Sequence, residues 1–301
     1  MSEPSIHWDA EALWQQLAPL LPGLSVEVVA RTLSTNTALL ERARAAPGRR
    51  DGDEPDGALV RRSVESAAFG RRAVDLQPCL LVAEHQTGGR GRQGQSWQSA
   101  AGASLTFSLG LALAAPDWSG LSLAVGVALA EALEPVSTNA PRIGLKWPND
   151  LWLMDGPPEL AASGRKLGGI LIETVAAGTQ RLVVIGIGLN VQLFDAADTS
   201  TGFAALQELD PTMTAPLALA RIARPLVLAL QQFEREGFAA FAQRFAARDF
   251  LRGRPVRTTL AEVPEGIARG VSPQGALLVQ TAGGVTSVAS GEVSVRLAGQ
   301  G

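Results

Sequence analysis

The segment Gly88-Gly89-Arg90-Gly91-Arg92-Gln93-Gly94 places the tightest limit on what this chain can become. An apolar run, Cys79-Leu80-Leu81-Val82-Ala83, leads into it, and a second, over 103–113, follows Trp97. Apolar runs punctuated by glycine in this way read as buried strands. Glycine lets the backbone approach closely and turn through φ > 0, so successive N–H groups can converge on an anion. The two arginines add planar forks that match carboxylate or phosphate geometry. The spacing fits neither a P-loop nor a dinucleotide fingerprint, since no helical pattern follows it. Taken alone, the segment reads equally well as a hairpin with solvated arginines or as an Arg-Gly contact for nucleic acid.

Composition narrows the classes. At 301 residues the chain can bury one sizeable core and a second, small one. A formal net charge of −3 leaves no basic surplus, which argues against duplex-DNA binding by phosphate neutralisation. The N-terminal apolar stretch is interrupted by prolines and charges, so neither a signal peptide nor a spanning helix is expected, and the reading is cytoplasmic. The single cysteine, Cys79, excludes an internal disulfide and reads as a buried core thiol. Two histidines, His7 and His85, lie far apart in sequence, so no metal-binding residues are assigned.

Periodicity predicts a helix over 9–17, with Leu13, Trp14 and Leu17 on one face, and a strand over 24–32. Ser34-Thr35-Asn36 offers caps for a helix to about Arg42. Residues 44–77 carry seven arginines among prolines, glycines and acids, and read as a surface insertion, partly mobile. Beyond the glycine loop, a helix is expected over 121–133 and strands over 142–146, 150–154, 168–175 and 181–191. Residues 203–208 and 216–247 look helical, with Leu226, Leu228, Leu230 and Phe233 as burying positions. Five short β runs (256–260, 266–271, 276–279, 285–289 and 293–297) then suggest a small SH3-like barrel.

Four further clusters place polar or glycine-rich chemistry at the ends of strand-like runs. They are Ser34-Thr35-Asn36, Lys146-Trp147-Pro148-Asn149-Asp150, Gly164-Arg165-Lys166-Leu167-Gly168-Gly169 running on to Glu173, and Gly186-Ile187-Gly188-Leu189-Asn190. With the glycine loop, and in this order, they resemble the biotin protein ligases over roughly residues 24–298. The resemblance implies an α+β fold: a class II synthetase-like mixed sheet flanked by helices, plus a small C-terminal SH3-like β-barrel. It divides the chain into an N-terminal helical extension (1–23), a biotin- and ATP-binding catalytic domain (24–250, with 44–77 inserted) and the C-terminal domain (251–301). The insertion departs from the family, whose connection here is usually much shorter. Nothing before residue 24 looks like a winged helix-turn-helix, so the expectation is a ligase without repressor activity and without DNA as partner.

The implied activity is adenylation of biotin by ATP, with Mg2+, followed by transfer to a lysine of a biotin carboxyl carrier protein. That carrier is an acetyl-CoA carboxylase subunit or a similar carboxylase component; no membrane is involved, and a homodimer is left open. Lys166 stands at the mouth of a strand too apolar to be surface, and the resemblance sets it on the biotin carboxylate and the phosphate. A lysine snorkelling from a strand end is the plainer account. Lys146 is assigned to the ATP phosphates. Asp150 orients or deprotonates the carrier lysine, holds a magnesium-bound water, or merely caps its turn. Arg90 and Arg92 would close over the intermediate, with Gly91 at biotin and Gly89 toward ATP. Gln93 and Gln95 stand where many relatives carry further basic residues. Ser34, Thr35, Asn36 and Gln86 match the biotin-binding positions, although the first three also suit helix capping. Trp97 is suited to stack on adenine or simply to fill a core. Asn149 and Asn190 are assigned to ATP, the glycines before Asn190 allowing close approach, and Glu292 and Arg296 match positions tied to ATP use. The rival readings are a lipoate-type ligase, an inactive biotin-binding relative and a nucleic-acid-binding protein.

Overall fold

The computed structural model describes residues 6–44, 68–69, 77–134, 140–155, 164–177, 180–194, 203–289 and 293–298. Most of the expected insertion, and Glu292, lie outside the described residues. The chain divides into two compact units that interleave in sequence. The first holds Met1–Leu113, Gly169–Thr199 and Ala205–Val227; the second holds Ala114–Gly168, Ser200–Ala204 and Leu228–Gly301.

In chain order the first unit opens with helix α1 (Ala10–Leu17), strand β1 (Ser25–Thr32), helix α2 (Thr35–Arg44) and the two-residue β2 (Ala68–Phe69). Strands β3 (Cys79–Gln86), β4 (Gly89–Arg90), β5 (Ser96–Trp97) and β6 (Ser104–Ala112) follow. Next come α3 (Leu121–Leu133), β7 (Ile143–Lys146) and β8 (Asp150–Met154) of the second unit, then β9 (Gly164–Ala177) and β10 (Gln180–Asn190). The main sheet has the order β2-β1-β3-β6-β10-β9-β8-β7. Its β1–β3 pairing is parallel, whereas β3–β6, β6–β10 and β7–β8 are antiparallel, so the sheet is mixed as expected. Strand β6 is buried except at Ala112, and β3 is buried over Cys79–Ala83 and half-buried at its last three residues. On one face, α2 lays Leu39, Leu40 and Ala43 against Cys79, Leu81, Ala83 and Val184. Cys79 is 2% exposed and its Sγ lies near Glu27 and Arg42, the buried thiol that the sequence implies.

The second unit is built round α3, whose helix is apolar on nearly every side and correspondingly buried. Helix α4 (Ala215–Glu236) spans the division between units, and α5 (Ala242–Ala246) follows in the second. The helix expected over 216–247 is therefore interrupted: Gly237, at φ 64°, ends α4, and a 3-10 turn over Phe238–Phe241 precedes α5. Leu226, Leu230 and Phe233 are buried at helical spacing, but Leu228 falls off that face and is 37% exposed. Glu134, just past α3, accepts the backbone N–H groups of Arg142 (2.7 Å) and Ile143 (2.9 Å) and pairs with Arg248 (2.9 Å). That carboxylate fixes the start of β7. The outer edge of β7 is covered by the chain after α5, with Leu145 N–H donating to Arg248 (2.7 Å) and Phe250 N–H to Leu145 (3.0 Å).

Strands β11 (Pro255–Thr258), β12 (Glu265–Val271), β13 (Leu277–Thr281), β14 (Gly284–Val288) and β15 (Val295–Leu297) confirm all five short runs. They form one antiparallel sheet of order β14-β13-β12-β11-β15. The expected barrel is not closed. Strand β15 is only three residues long and pairs with β11, leaving β14 at the opposite edge. No helix among the described residues is long and apolar enough to cross a membrane.

Candidate active site

In the first unit, the sequence clusters converge at the N-terminus of α2. Ser34, Thr35 and Asn36 are all buried. Ser34 does cap the helix: its Oγ accepts Thr37 N–H at 3.4 Å. Thr35 turns instead toward the end of β3, where Gln86 Oε1 accepts its N–H at 2.7 Å and lies 3.2 Å from its hydroxyl. Asn36 points into the sheet. Its Nδ2 donates to the Leu171 carbonyl (3.2 Å) and to Glu173 Oε2 (2.9 Å), while Ser108 Oγ lies 2.6 Å from its Oδ1. The same Ser108 oxygen is 2.6 Å from Thr35 Oγ1.

The glycine loop is a hairpin, as read. Gly89 and Arg90 pair with Trp97 and Ser96, and Gly91 N–H donates to Gln95 O at 2.7 Å. Positive φ falls only on Gln93 (52°) and Gly94 (73°), so the other loop glycines are not there for left-handed backbone. Arg92 begins a short 3-10 turn, and the Arg90 side chain, 55% exposed, lies 3.6 Å from Glu173. Trp97 is half-buried, with one ring edge packed on Gly188 and its Nε1 buried without a hydrogen-bond partner among the described residues.

Gly186 and Gly188 change meaning accordingly. A Cβ at Gly186 would lie 2.2 Å from Asn36 Oδ1, and one at Gly188 would lie 2.5 Å from the Trp97 ring. The close approach anticipated for a ligand is made by protein side chains. Asn190, at the end of β10, is buried opposite Ser104.

The second unit holds the other cations. Lys166, near the start of β9, reaches Asp150 at 2.8 Å, and Asp150 opens β8 directly opposite Lys146 in the β7–β8 register. Lys146 is only 9% exposed, with Nζ 4.5 Å from the Trp152 ring centre. Burial pulls its pKa down, Asp150 opposes this, and Lys166 and Arg296 add to it. Arg296, on β15, is exposed. Trp147, joined to Pro148 by a cis peptide, is buried and donates Nε1–H to Gly275 O at 3.0 Å, which anchors the turn that leads to Asn149 and Asp150.

The sequence clusters pass over Ser108 and Trp152, and they include Glu173 without giving it a role. A signal for Ser108 was present: Ser104, Thr106 and Ser108 recur at strand period within an otherwise apolar run and are all buried. A row of hydroxyls on one buried strand face implies polar partners across it.

Two family models match spans of the chain. The model for the Biotin/lipoate A/B protein ligase family matches residues 76–190, and that for the Biotin protein ligase C terminal domain matches 252–296. Across 297 residues the chain is 32% identical to the biotin--[acetyl-CoA-carboxylase] ligase of Mycobacterium tuberculosis, covering 93% of this chain and 89% of that one. The chain belongs to the biotin protein ligase family. The bifunctional ligase/repressor BirA of Salmonella typhimurium is 36% identical over 223 residues, 72% of this chain. This biotin ligase relative spans 66% of that protein's length. In fold, the chain is similar to the biotin protein ligase of Aquifex aeolicus in complex with biotin and ATP. The TM-score is 0.67 at 23% identity, over 91% of this chain and 99% of that one.

Proposed function

We propose that the protein is an ATP-dependent biotin protein ligase that forms biotinyl-5'-AMP and passes biotin to a lysine of a biotin carboxyl carrier protein. The observation that carries the reading is the Lys166–Asp150 pair at 2.8 Å beside buried Lys146. In the first step a biotin carboxylate oxygen attacks the α-phosphorus and pyrophosphate departs. Charge builds on the phosphoryl oxygens, and fixed cations lower the barrier by opposing it without reorganising. Lys166 takes the carboxylate and α-phosphate, and Lys146, Asn149 and Arg296 serve the nucleotide. An anion that draws Lys166 away leaves Asp150 with an uncompensated carboxylate, suited to accept a proton from the carrier lysine. In the second step that amine attacks the acyl carbon and AMP leaves.

The polar group made by Thr35, Asn36 and Gln86 is assigned to the ureido ring, and Arg90 and Arg92 to retention of the intermediate. Among the described residues no three His, Cys, Asp or Glu side chains gather to hold a metal ion, and Asp150 is already engaged by Lys166. These residues do not build a magnesium cage, so the ion is assigned to the ATP phosphates and no step is routed through it. The carrier is assigned to acetyl-CoA carboxylase, as in the name of the mycobacterial relative, and the compartment to the cytoplasm. Biotin-dependent ATP–pyrophosphate exchange by the purified chain tests the reading, with lipoate run alongside. Exchange with biotin alone supports it; exchange with lipoate alone, or with neither, overturns it.

A further inference from the structure

Glu173 was assigned no role by the sequence motifs, yet its carboxylate touches two parts of the candidate site at once. One oxygen accepts Asn36 Nδ2–H at 2.9 Å, and the other lies 3.6 Å from Arg90 Nη2 in the glycine loop. Both partners present only donors on these sides. A side chain serving both must therefore offer two acceptor oxygens, which a carboxylate has and an amide lacks.

The contact with Asn36 has a longer reach. An asparagine amide has two nearly isosteric ends, and its neighbours decide which faces where. Here the nitrogen end meets the Leu171 carbonyl and Glu173, neither of which can donate. Oδ1 is thereby turned onto Ser108 Oγ at 2.6 Å, a separation that requires a proton between the oxygens. Asn36 Oδ1 has none, so Ser108 supplies its only one. The second contact of Ser108, 2.6 Å from Thr35 Oγ1, is then filled by the threonine's proton, drawn from the longer 3.2 Å contact with Gln86 Oε1. Thr35 N–H holds Gln86 Oε1 at 2.7 Å, so the Gln86 amide turns its nitrogen away. The chain ends with acceptor capacity on Thr35 Oγ1 and two donors on Gln86 Nε2. A cyclic urea, which carries both N–H and C=O, needs that pair.

We infer that Glu173 is a positioning residue that sets the donor–acceptor direction of the Asn36–Ser108–Thr35–Gln86 chain and ties it to Arg90. The inference rests on the biotin reading given above. Glu173→Gln cannot satisfy Asn36 and Arg90 together, whichever way its amide turns. Glu173→Asp keeps two acceptors on a shorter arm and recovers part of what Gln loses.

Biotin affinity is measured by titration calorimetry, and KM for biotin and for ATP by pyrophosphate exchange. The parent protein, Glu173→Gln, Glu173→Asp and Ser108→Ala are compared, with Tm recorded for each. Glu173→Gln weakens biotin binding at least tenfold and leaves KM for ATP within twofold, and Glu173→Asp lies between it and the parent. Ser108→Ala, which cuts the chain at its middle, shows the same biotin-only loss and decides the matter should Glu173→Gln fail to fold. A parent that binds no biotin overturns the functional reading and this one with it. A parent that binds, with folded variants that keep its affinity or lose biotin and ATP in parallel, overturns the role of Glu173 alone.

Discussion

Lys166 and Asp150 show how little a charge pair needs to stabilise in order to matter. Their side chains are partly exposed, and such pairs contribute about 0–1 kcal/mol to folding. Lys166→Ala is therefore expected to leave Tm within a few degrees while reducing pyrophosphate exchange at least 100-fold, since a rigidly placed cation typically contributes on the order of 3 kcal/mol to a developing anion. A large fall in Tm with residual exchange would reverse that assignment. Gly186 is the opposite case, a residue whose importance lies in what it lacks. Gly186→Ala sets a methyl 2.2 Å from Asn36 Oδ1, inside any real contact distance. Overpacking of this kind costs about 1–3 kcal/mol. Because Asn36 must move, the loss is expected in Tm and in KM for biotin together, with KM for ATP little changed.

Elements carry these side chains to their places, and β7 illustrates how. Its first residues are tied down by Glu134, and its last is Lys146. Glu134→Ala would strand the buried Ile143 N–H and leave the largely buried Arg248 without its carboxylate, while water can reach the exposed Arg142 N–H, a loss of about 1–3 kcal/mol. Thermal melts should show it, and KM for ATP should rise as Lys146 loosens, whereas biotin affinity is expected to hold. The elements themselves were largely legible. Helix α3 falls on its expected residues because a long run, apolar except for Ser122 and Glu131 and bounded by Gly120 and Glu134, admits little else. The polar ends of β3, β8, β9 and β10 were readable because polar groups at the mouths of apolar strands are conspicuous. Roles for Glu173 and Ser108 were not legible, since each looks ordinary until a partner 137 or 72 residues away is brought to it. The barrel closure was misjudged for a related reason. Composition shows five strands, but closure depends on strand length and register, and β15 is too short to supply them. Gly237 was the overlooked punctuation in the last long helical stretch.

At the scale of the whole molecule, stability and its pH dependence meet at Asp249, beside the covered edge of β7. Burial pushes its carboxyl up to about 6 from 3.8, against the pull of the Leu251 and Arg252 N–H groups and the charges of Arg252 and Arg254. Its Oδ2 has no hydrogen-bond partner among the described residues. The folded state thus holds a proton that the unfolded chain releases. Between pH 3.8 and about 6 this group lowers stability as pH rises, with its full cost present above that window. Asp249→Asn is expected to gain up to about 3 kcal/mol at pH 8, an advantage that fades as the pH falls toward 4, measured as the difference in unfolding free energy. A gain independent of pH would remove burial of the charge as its cause. The seclusion of Cys79 has a practical consequence as well. With the sole thiol shut inside the sheet, a cysteine introduced at exposed Gln95 would be the only one open to a maleimide dye. The arrival of substrate at the arginine loop would then register as a change in fluorescence, with no native residue to remove beforehand.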